Sequence, residues 1–262
     1  VLGERPAGES KWNFTHRVSH FKKIKQMTII AIGDIHGREE WKQIVQQEPD
    51  ADKLVFIGDY FDTFAPISPK AQHDNFLQIL ALKKQKPKQV VLLLGNHDYH
   101  YLSVAGETYS GYQPVLKMLV EADLKAAIDE QLLQVCLAHQ QWLFSHAGIS
   151  RTWCKQHQID ERLPAPQFQD SVNHLLLAKP QAFAFTMGPN HSPYGDDLCQ
   201  GPLWIRPNSL RKDAIADYAQ VVGHTQQALL SISPLLTLID TLGTEGTYLR
   251  ITHNKMDAVS VA

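Results

Sequence analysis

The sequence predicts an α/β (α+β) fold in which two mixed sheets pack together and are flanked by helices, a four-layer α-β-β-α sandwich. Three observations predict it. Four short apolar runs, Met27 to Ile32, Leu54 to Ile57, Val90 to Leu94 and Gln220 to Val222, each close on a glycine followed by a polar side chain, as buried strands do. Helical patterns alternate with the first of these runs, and the C-terminal third is rich in strand-like sequence, which favours sheets covered by helices.

Taken in order, residues 39–48 place Trp41, Ile44 and Val45 on one helical face. Residues 69–86 place Phe76, Ile79, Leu80 and Lys83 at helical spacing after the start signal Ser68-Pro69. Residues 113–131 and 166–178 also read as helices. Leu132 to Leu137 and Trp142 to Ser145 flank a short polar connection and predict a hairpin, with His146 just past its second arm. Leu235 to Asp240, Thr247 to Thr252 and Asp257 to Val261, punctuated by Gly243 and Gly246, predict further antiparallel strands. Five prolines between Pro180 and Pro207 predict a long irregular loop, and loops of that length are often functional. Residues 1–26, with six basic and two acidic side chains, are expected to form an appendage. One domain is expected over residues 27–262, with helical and loop insertions at about 106–131 and 150–207.

Composition narrows the class. The chain has 262 residues, 44% hydrophobic and 20% charged, enough for a substantial core and unlike a disordered or fibrous protein. Its net charge of −2 supplies no global attraction for nucleic acid or an anionic membrane. No apolar run approaches the roughly 20 residues of a membrane span, and residues 1–26 lack the apolar core of a signal peptide. The three cysteines, Cys136, Cys154 and Cys199, are dispersed and odd in number, which suits a reducing, cytoplasmic setting. The 13 histidines ask for an explanation, and several stand at strand ends.

Those strand ends read Gly33-Asp34-Ile35-His36-Gly37, Gly58-Asp59-Tyr60-Phe61-Asp62, Gly95-Asn96-His97-Asp98, Ser145-His146-Ala147-Gly148 and Gly223-His224-Thr225. Polar residues after a strand and a glycine face the crevice where open α/β sheets bind ligands. A set of carboxylates, imidazoles and an amide oxygen suits borderline divalent metals such as Mn, Fe, Co, Ni or Zn. Singly, each turn reads as an Asx-turn or a satisfied core histidine. Five in this order, each ending an apolar run, point to one site.

With these motifs the sequence resembles the calcineurin-like metallophosphoesterases over roughly residues 27–252, within the branch that holds phosphoprotein phosphatases and symmetrical diadenosine tetraphosphate hydrolases. The resemblance implies two divalent metal ions, manganese being the first choice. Asp34 and His36 would bind the first ion, Asp59 would bridge, and Asn96, His146 and His224 would bind the second. Gln226 stands where many phosphodiesterase branches carry a further histidine. Ile239-Asp240-Thr241 after the Gly-His-Thr turn extends the likeness. Two cations about 3.5–4 Å apart lower the pKa of a bridging water, neutralise phosphate oxygens and align in-line attack by the hydroxide. His97, beside Asn96 but outside the ligand pattern, is the expected general acid, and Asp62 the residue that orients it.

Two departures bear on substrate. Asp62 is followed by Thr63 and Gly95 is preceded by Leu94, where the branch usually has arginines that grip phosphate bidentately. Arg206 and Arg38 are the candidate replacements, and Trp204 is the one tryptophan placed to meet substrate. His73, His100, His139, His157, His174, His191 and His253 match no motif and read as ordinary, although His100 and His191 could approach the crevice. The reading that follows is a dinuclear metal-dependent phosphatase acting on a phosphomonoester, phosphoserine or phosphothreonine in protein being one case. A symmetrical dinucleoside polyphosphate hydrolase or a phosphodiesterase is the alternative. An inactive binding scaffold stands last, because the whole ligand set is present.

Overall fold

Alternation along the first strands decides the layers. The computed structural model describes residues 27–189, 191–192, 194–253 and 255–262, so the expected appendage lies outside the described residues. In β1 (Thr28–Ile32), β2 (Lys53–Phe56) and β3 (Val90–Leu93), side chains point alternately to opposite faces. Ile30, Ile32, Leu54, Phe56, Val90 and Leu92 join a core with Trp41 and Ile44 of α1 (Trp41–Gln47) and Phe76 and Ile79 of α2 (Pro69–Gln85). Their neighbours Ile29, Ala31, Val55, Ile57, Val91 and Leu93 pack against Trp142, Phe144 and Val221 of a second sheet. Being apolar on both faces, these strands form the middle of the sandwich, each fully buried side chain contributing about 1.5–3 kcal/mol. The four-layer architecture is as the sequence predicts.

After β3 come the short helix α3 (Asn96–Tyr99) and α4 (Pro114–Asp129), which packs on α2. The two sheets are then joined by β4 (Leu133–Gln134), β5 (Cys136–His139) and β6 (Trp142–Ser145). Next stand α5 (Arg151–Gln156), α6 (Ala165–Ala178), α7 (Pro207–Asp213) and β7 (Ala219–Val222), followed by β8 (Leu236–Leu238), β9 (Thr247–Thr252) and β10 (Lys255–Ser260). The first sheet runs β10-β9-β1-β2-β3-β4 and the second β5-β6-β7-β8. α6 covers β5 on the outer face of the second sheet. Proline at the first turn starts α2, α4, α6 and α7, and Ser68 adds a cap by accepting the N–H of Ala71 at 3.2 Å.

Two expectations are corrected. The run Leu132 to Leu137 is not one hairpin arm: Leu133 and Gln134 pair in parallel with β3, and only Cys136 onward pairs antiparallel with β6. Val135 is the crossing point, where the Asn173 side chain of α6 accepts the N–H groups of Val135 and Cys136 at 2.9 and 3.0 Å and so satisfies backbone that has left one ladder for another. Leu236 to Leu238 pairs in parallel with β7, while β9 and β10 are antiparallel as expected. From Pro180 to Arg206 the described residues form one 3-10 turn, Pro180–Phe183, and otherwise irregular chain, with α7 starting at Pro207.

Candidate active site

Parallel strands bring their C-terminal ends to one edge, and both sheets contribute. β1, β2 and β3 deliver Asp34 and His36, Asp59 and Asp62, and Asn96 and His97, while β6 and β7 deliver His146 and His224 from across the interface. The turns are tight enough to force His36, Asp59, Asp62 and His224 into left-handed backbone, with φ of 44°, 51°, 62° and 61°. Such conformations at non-glycine residues cluster where function over-determines them. Gly95 and Gly223 are required by close approach: a β-carbon at either would collide with the carboxylate of Asp59 or of Asp34.

The three imidazoles share one arrangement. His36 Nδ1 donates to the Phe61 carbonyl at 2.7 Å, His146 Nδ1 to the Ile57 carbonyl at 3.0 Å, and His224 Nε2 to the Trp204 carbonyl at 3.1 Å. Burial holds all three neutral, pushing His36 down to about 4 and His146 and His224 well below the usual imidazole range, so each inward nitrogen carries a lone pair. His146 Nε2 and His224 Nδ1 each lie 2.8 Å from Asn96 Oδ1 and 3.2 Å from each other. Three acceptor atoms thus crowd together with no proton between them, an arrangement that a cation would stabilise. Asp59 Oδ2 lies 3.4 Å from His146 Nε2 and 3.8 Å from His36 Nε2, so its carboxylate stands between the two imidazole positions. Asp34 accepts the N–H of His224 at 2.9 Å and shares a hydrogen bond with Asp240.

Electrostatics agree with that donor set. Burial, then Asp240, pushes Asp34 well above the usual carboxylate range, and burial, then Asp34 and Asp98, does the same to Asp59. Neutral imidazoles, an amide oxygen and crowded buried carboxylates fit divalent metal ions of the borderline class. Asp34, Asp59 and His146 form a buried group close enough to hold an ion, whereas Asp62, His97 and His100, equally close together, are joined by the hydrogen bond between His97 Nδ1 and Asp62.

His97 lies outside the imidazole cluster, its ring 5.3 Å from that of His36 and its side chain 17% exposed. Its Nδ1 is 2.8 Å from Asp62 Oδ2. Burial alone would raise Asp62, but His100, His97 and Tyr101 surround it with donors and hold it below the usual carboxylate value. Asp98 accepts the N–H groups of Asp59, Tyr60 and Gly95 at 2.9, 2.7 and 2.8 Å. It ties the second turn to the third.

Both candidate arginines lie by the site. Arg206 donates from Nε to the Tyr194 carbonyl at 2.7 Å and from Nη1 to the His224 carbonyl at 2.9 Å and Thr225 Oγ1 at 3.1 Å. Burial lowers its pKa against the opposing pull of Asp59 and Asp34. Arg38 is close enough to draw Asp34 and Asp240 downward. Two expectations change. Trp204 is buried against Tyr109 and Phe185, with ring centroids 4.3 and 5.3 Å away, and supports His224 through its carbonyl instead of facing substrate. His100 is not an ordinary histidine: it is buried with Nε2 2.6 Å from Asp62 Oδ2, a close contact although its N–H points off the oxygen. Tyr101, whose hydroxyl donates to Asp62, was not singled out in the sequence at all. The available signal was spacing, since 100 and 101 follow 97 by three and four and fall on one side of a helical turn.

A site of this make suits metal-assisted hydrolysis of phosphoric esters. The family model of the calcineurin-like phosphoesterases matches residues 27–227, and the chain belongs to that family. Among curated proteins, a symmetrical bis(5'-nucleosyl)-tetraphosphatase of Nitrosococcus oceani is 28% identical over 174 residues, covering 59% of this chain and 58% of its own length. One of Xylella fastidiosa is 25% identical over 183 residues, covering 63% and 60%. The chain thus spans about three fifths of the length of these relatives. Among solved structures, a cold-active protein tyrosine phosphatase superposes with a TM-score of 0.56 at 17% identity, covering 90% of this chain and 80% of that one. A protein serine/threonine phosphatase from Saccharomyces cerevisiae gives 0.51 at 14% identity with the same coverage. These two share the fold. Among the described residues no helix is long and apolar enough to cross a membrane.

Proposed function

We propose that this chain hydrolyses phosphoric esters with two divalent metal ions, and that residues 27–262 act as one unit with insertions at about 106–131 and 150–207. The observation that carries the reading is the convergence of imidazole nitrogens whose outer nitrogens are all spent on backbone carbonyls. Asp34 and His36 would hold one ion, Asn96, His146 and His224 the other, and Asp59 both. Bound there, the ions supply Lewis acidity toward a phosphoryl group and lower the pKa of water. The chain's own residues do the rest. Asp62 accepts the Nδ1 proton of His97 and leaves Nε2 turned to the crevice, where it can hold the proton that the leaving oxygen needs. Arg206, with Nε and Nη1 fixed on protein, presents Nη2 to a phosphoryl oxygen, and Arg38 adds positive charge on the Asp34 side.

Within that class two substrates are each favoured by an observation. The built proton donor favours a phosphomonoester, phosphoserine or phosphothreonine included, because an alkoxide is a poor leaving group and depends on protonation. A cleft beside Arg206, lined also by Tyr194, Asp196, Asn208 and Arg211, with Tyr194 76% exposed, favours a dinucleoside polyphosphate, as do the names of the relatives. Metal-loaded protein is tested on phenyl phosphate, a phosphothreonine peptide, bis-p-nitrophenyl phosphate and diadenosine tetraphosphate, with products separated. Turnover of the first two supports the phosphomonoester reading, and ADP as the sole nucleotide product supports the second. Diester preference moves the assignment to a phosphodiesterase. Bound metal with no turnover on any of them refutes the proposal and leaves a scaffold. Replacement of His97 by Asn is expected to keep the metals and to slow poor leaving groups far more than good ones, by a factor within the ~10²–10⁴ of general acid catalysis.

A further inference from the structure

Asp62 is more heavily engaged than orienting one histidine requires. It is fully buried, left-handed at φ 62°, and its carboxylate meets three side chains: His97 Nδ1 at 2.8 Å, His100 Nε2 at 2.6 Å, both on Oδ2, and the Tyr101 hydroxyl on Oδ1. The protons in this cluster are assigned by what lies behind it. The Tyr101 hydroxyl accepts the N–H of Gln113 at 3.1 Å, so its own proton goes to Asp62. His100 Nδ1 accepts the N–H of Tyr109 at 3.3 Å, so in the neutral ring the proton sits on Nε2, the nitrogen beside Asp62. His100 in turn is boxed by aromatic rings, stacked on Tyr109 at 5.9 Å with 6° between planes and edge-on to Tyr101 at 4.4 Å and Tyr112 at 5.3 Å.

We infer that His100 and Tyr101 are positioning residues for proton donation at this site: Tyr101 holds Oδ1 of Asp62 by a hydrogen bond and His100 packs its Nε2 edge against Oδ2, and Asp62 thereby fixes the ring and tautomer of His97. The inference rests on the reading of His97 as proton donor. A carboxylate with a single partner can rotate about its terminal bond at little cost. Asp62 cannot, because any rotation that frees Oδ1 from Tyr101 also moves Oδ2 away from both imidazoles. His97 Nδ1 therefore keeps its proton toward Asp62, and Nε2 is held at one place over the crevice. A 1 Å misplacement of a catalytic group is enough to cost about 100-fold in rate. Neither His100 nor Tyr101 is among the residues converging on Asn96 and Asp59, so their loss should spare the metals.

The test uses full-length, metal-loaded protein and aryl phosphomonoesters graded from nitrophenols to unsubstituted phenol. Tyr101→Phe, which keeps the ring and removes only the donor, carries it; His100→Ala and His100→Gln accompany it. We expect Tyr101→Phe and His100→Ala to lower kcat on phenyl phosphate by about 10- to 100-fold and to leave the best leaving group within about 3-fold. Metal content should match the parent, and His100→Gln, which keeps a polar group packed against Oδ2, should recover part of the loss. In zinc-loaded, 15N-histidine-labelled protein the His97 Nδ1 proton resonance should be sharp in the parent and broadened or lost in Tyr101→Phe. Equal loss across the leaving-group series, no loss, or an unchanged His97 resonance overturns the inference. His97→Asn separates the two levels: a flat leaving-group dependence there removes the proton-donor reading and this inference with it, while a steep one there beside flat variants at 100 and 101 removes only the inference.

Discussion

Replacing Asp98 by Asn tests whether the site depends on the tie between its second and third turns. The carboxylate is fully buried and accepts three backbone N–H groups, two on Oδ2 from Asp59 and Gly95 and one on Oδ1 from Tyr60. An asparagine of the same shape can keep its oxygen on the first two and must then aim its NH₂ at the N–H of Tyr60. At pH 8–9, above the value of about 7 to which burial pushes Asp98, one hydrogen bond to an ionised group is lost, worth about 1.5–3 kcal/mol, and a donor faces a donor. Asp98→Ala loses all three and leaves three amides unpaired, for a loss on the order of 5 kcal/mol, provided the effects are not fully additive. The metal site should feel it too, because Asp59 holds its left-handed φ of 51° next to this tie. If about 2 kcal/mol of that order is restored only when metal binds, affinity falls roughly 30-fold. Urea denaturation of chelator-treated protein reads the first effect, through a lower midpoint at unchanged slope. Calorimetric titration with Mn(II) reads the second. If Asp98→Asn matches the parent in both midpoint and affinity, Asp98 does not hold the turns, and the reasoning from its three hydrogen bonds is wrong.

The remaining predictions concern charge, substrate grip and thiols. In metal-stripped protein, burial pushes Asp98 up to about 7 and Asp240 up to about 6, and Asp34 and Asp59 upward as well, so the folded state holds protons that the unfolded chain has released. Stability should then be full below the unfolded carboxylate range and be lost as pH rises through these values. The buried imidazoles act oppositely, but only below about 6.5, where unfolded histidine takes a proton. The thermal midpoint of stripped protein should therefore fall between pH ~6.5 and 8, and added Mn(II) should raise it most at pH 8; a flat profile would contradict this. Arg206→Lys removes the fork held by the Tyr194, His224 and Thr225 oxygens and should lower kcat/KM by about 10- to 100-fold, with metal content unchanged, as measured by steady-state kinetics and metal analysis. Burial pushes Cys136 upward and Cys154 up to about 12, so neither should react with Ellman's reagent at pH 8 until guanidinium unfolds the chain, while the less buried Cys199, pushed up to about 11, should react first.

Legibility in the sequence followed the range of the signal. Strand-end motifs were readable because each is local: an apolar run, a glycine and a polar residue lie within a few positions, and β1, β2, β3 and β7 carry that pattern unbroken. The break at Val135 was not readable, because nothing in Leu132 to Leu137 says that two of its residues pair with β3 and the rest with β6; an Asn173 side chain from a distant helix permits the change. Likewise the direction of Leu236 to Leu238 depends on which neighbour it meets, and parallel and antiparallel strands of three residues look alike. Within the site, His97 stood out through its motif. What lies behind it did not, because His100 and Tyr101 acquire meaning only once Asp62, some forty positions earlier in the chain, turns back to meet them. The same distinction applies to the two arginines. A motif that omits its usual guanidinium predicts a weaker grip on phosphate only if no other segment supplies one, and Arg206 reaches the His224 turn from a proline-rich stretch whose course no local rule describes. On the proposed reading the substrate question therefore turns on long-range placement, at the cleft beside Arg206 and around Asp62, more than on the strand-end motifs.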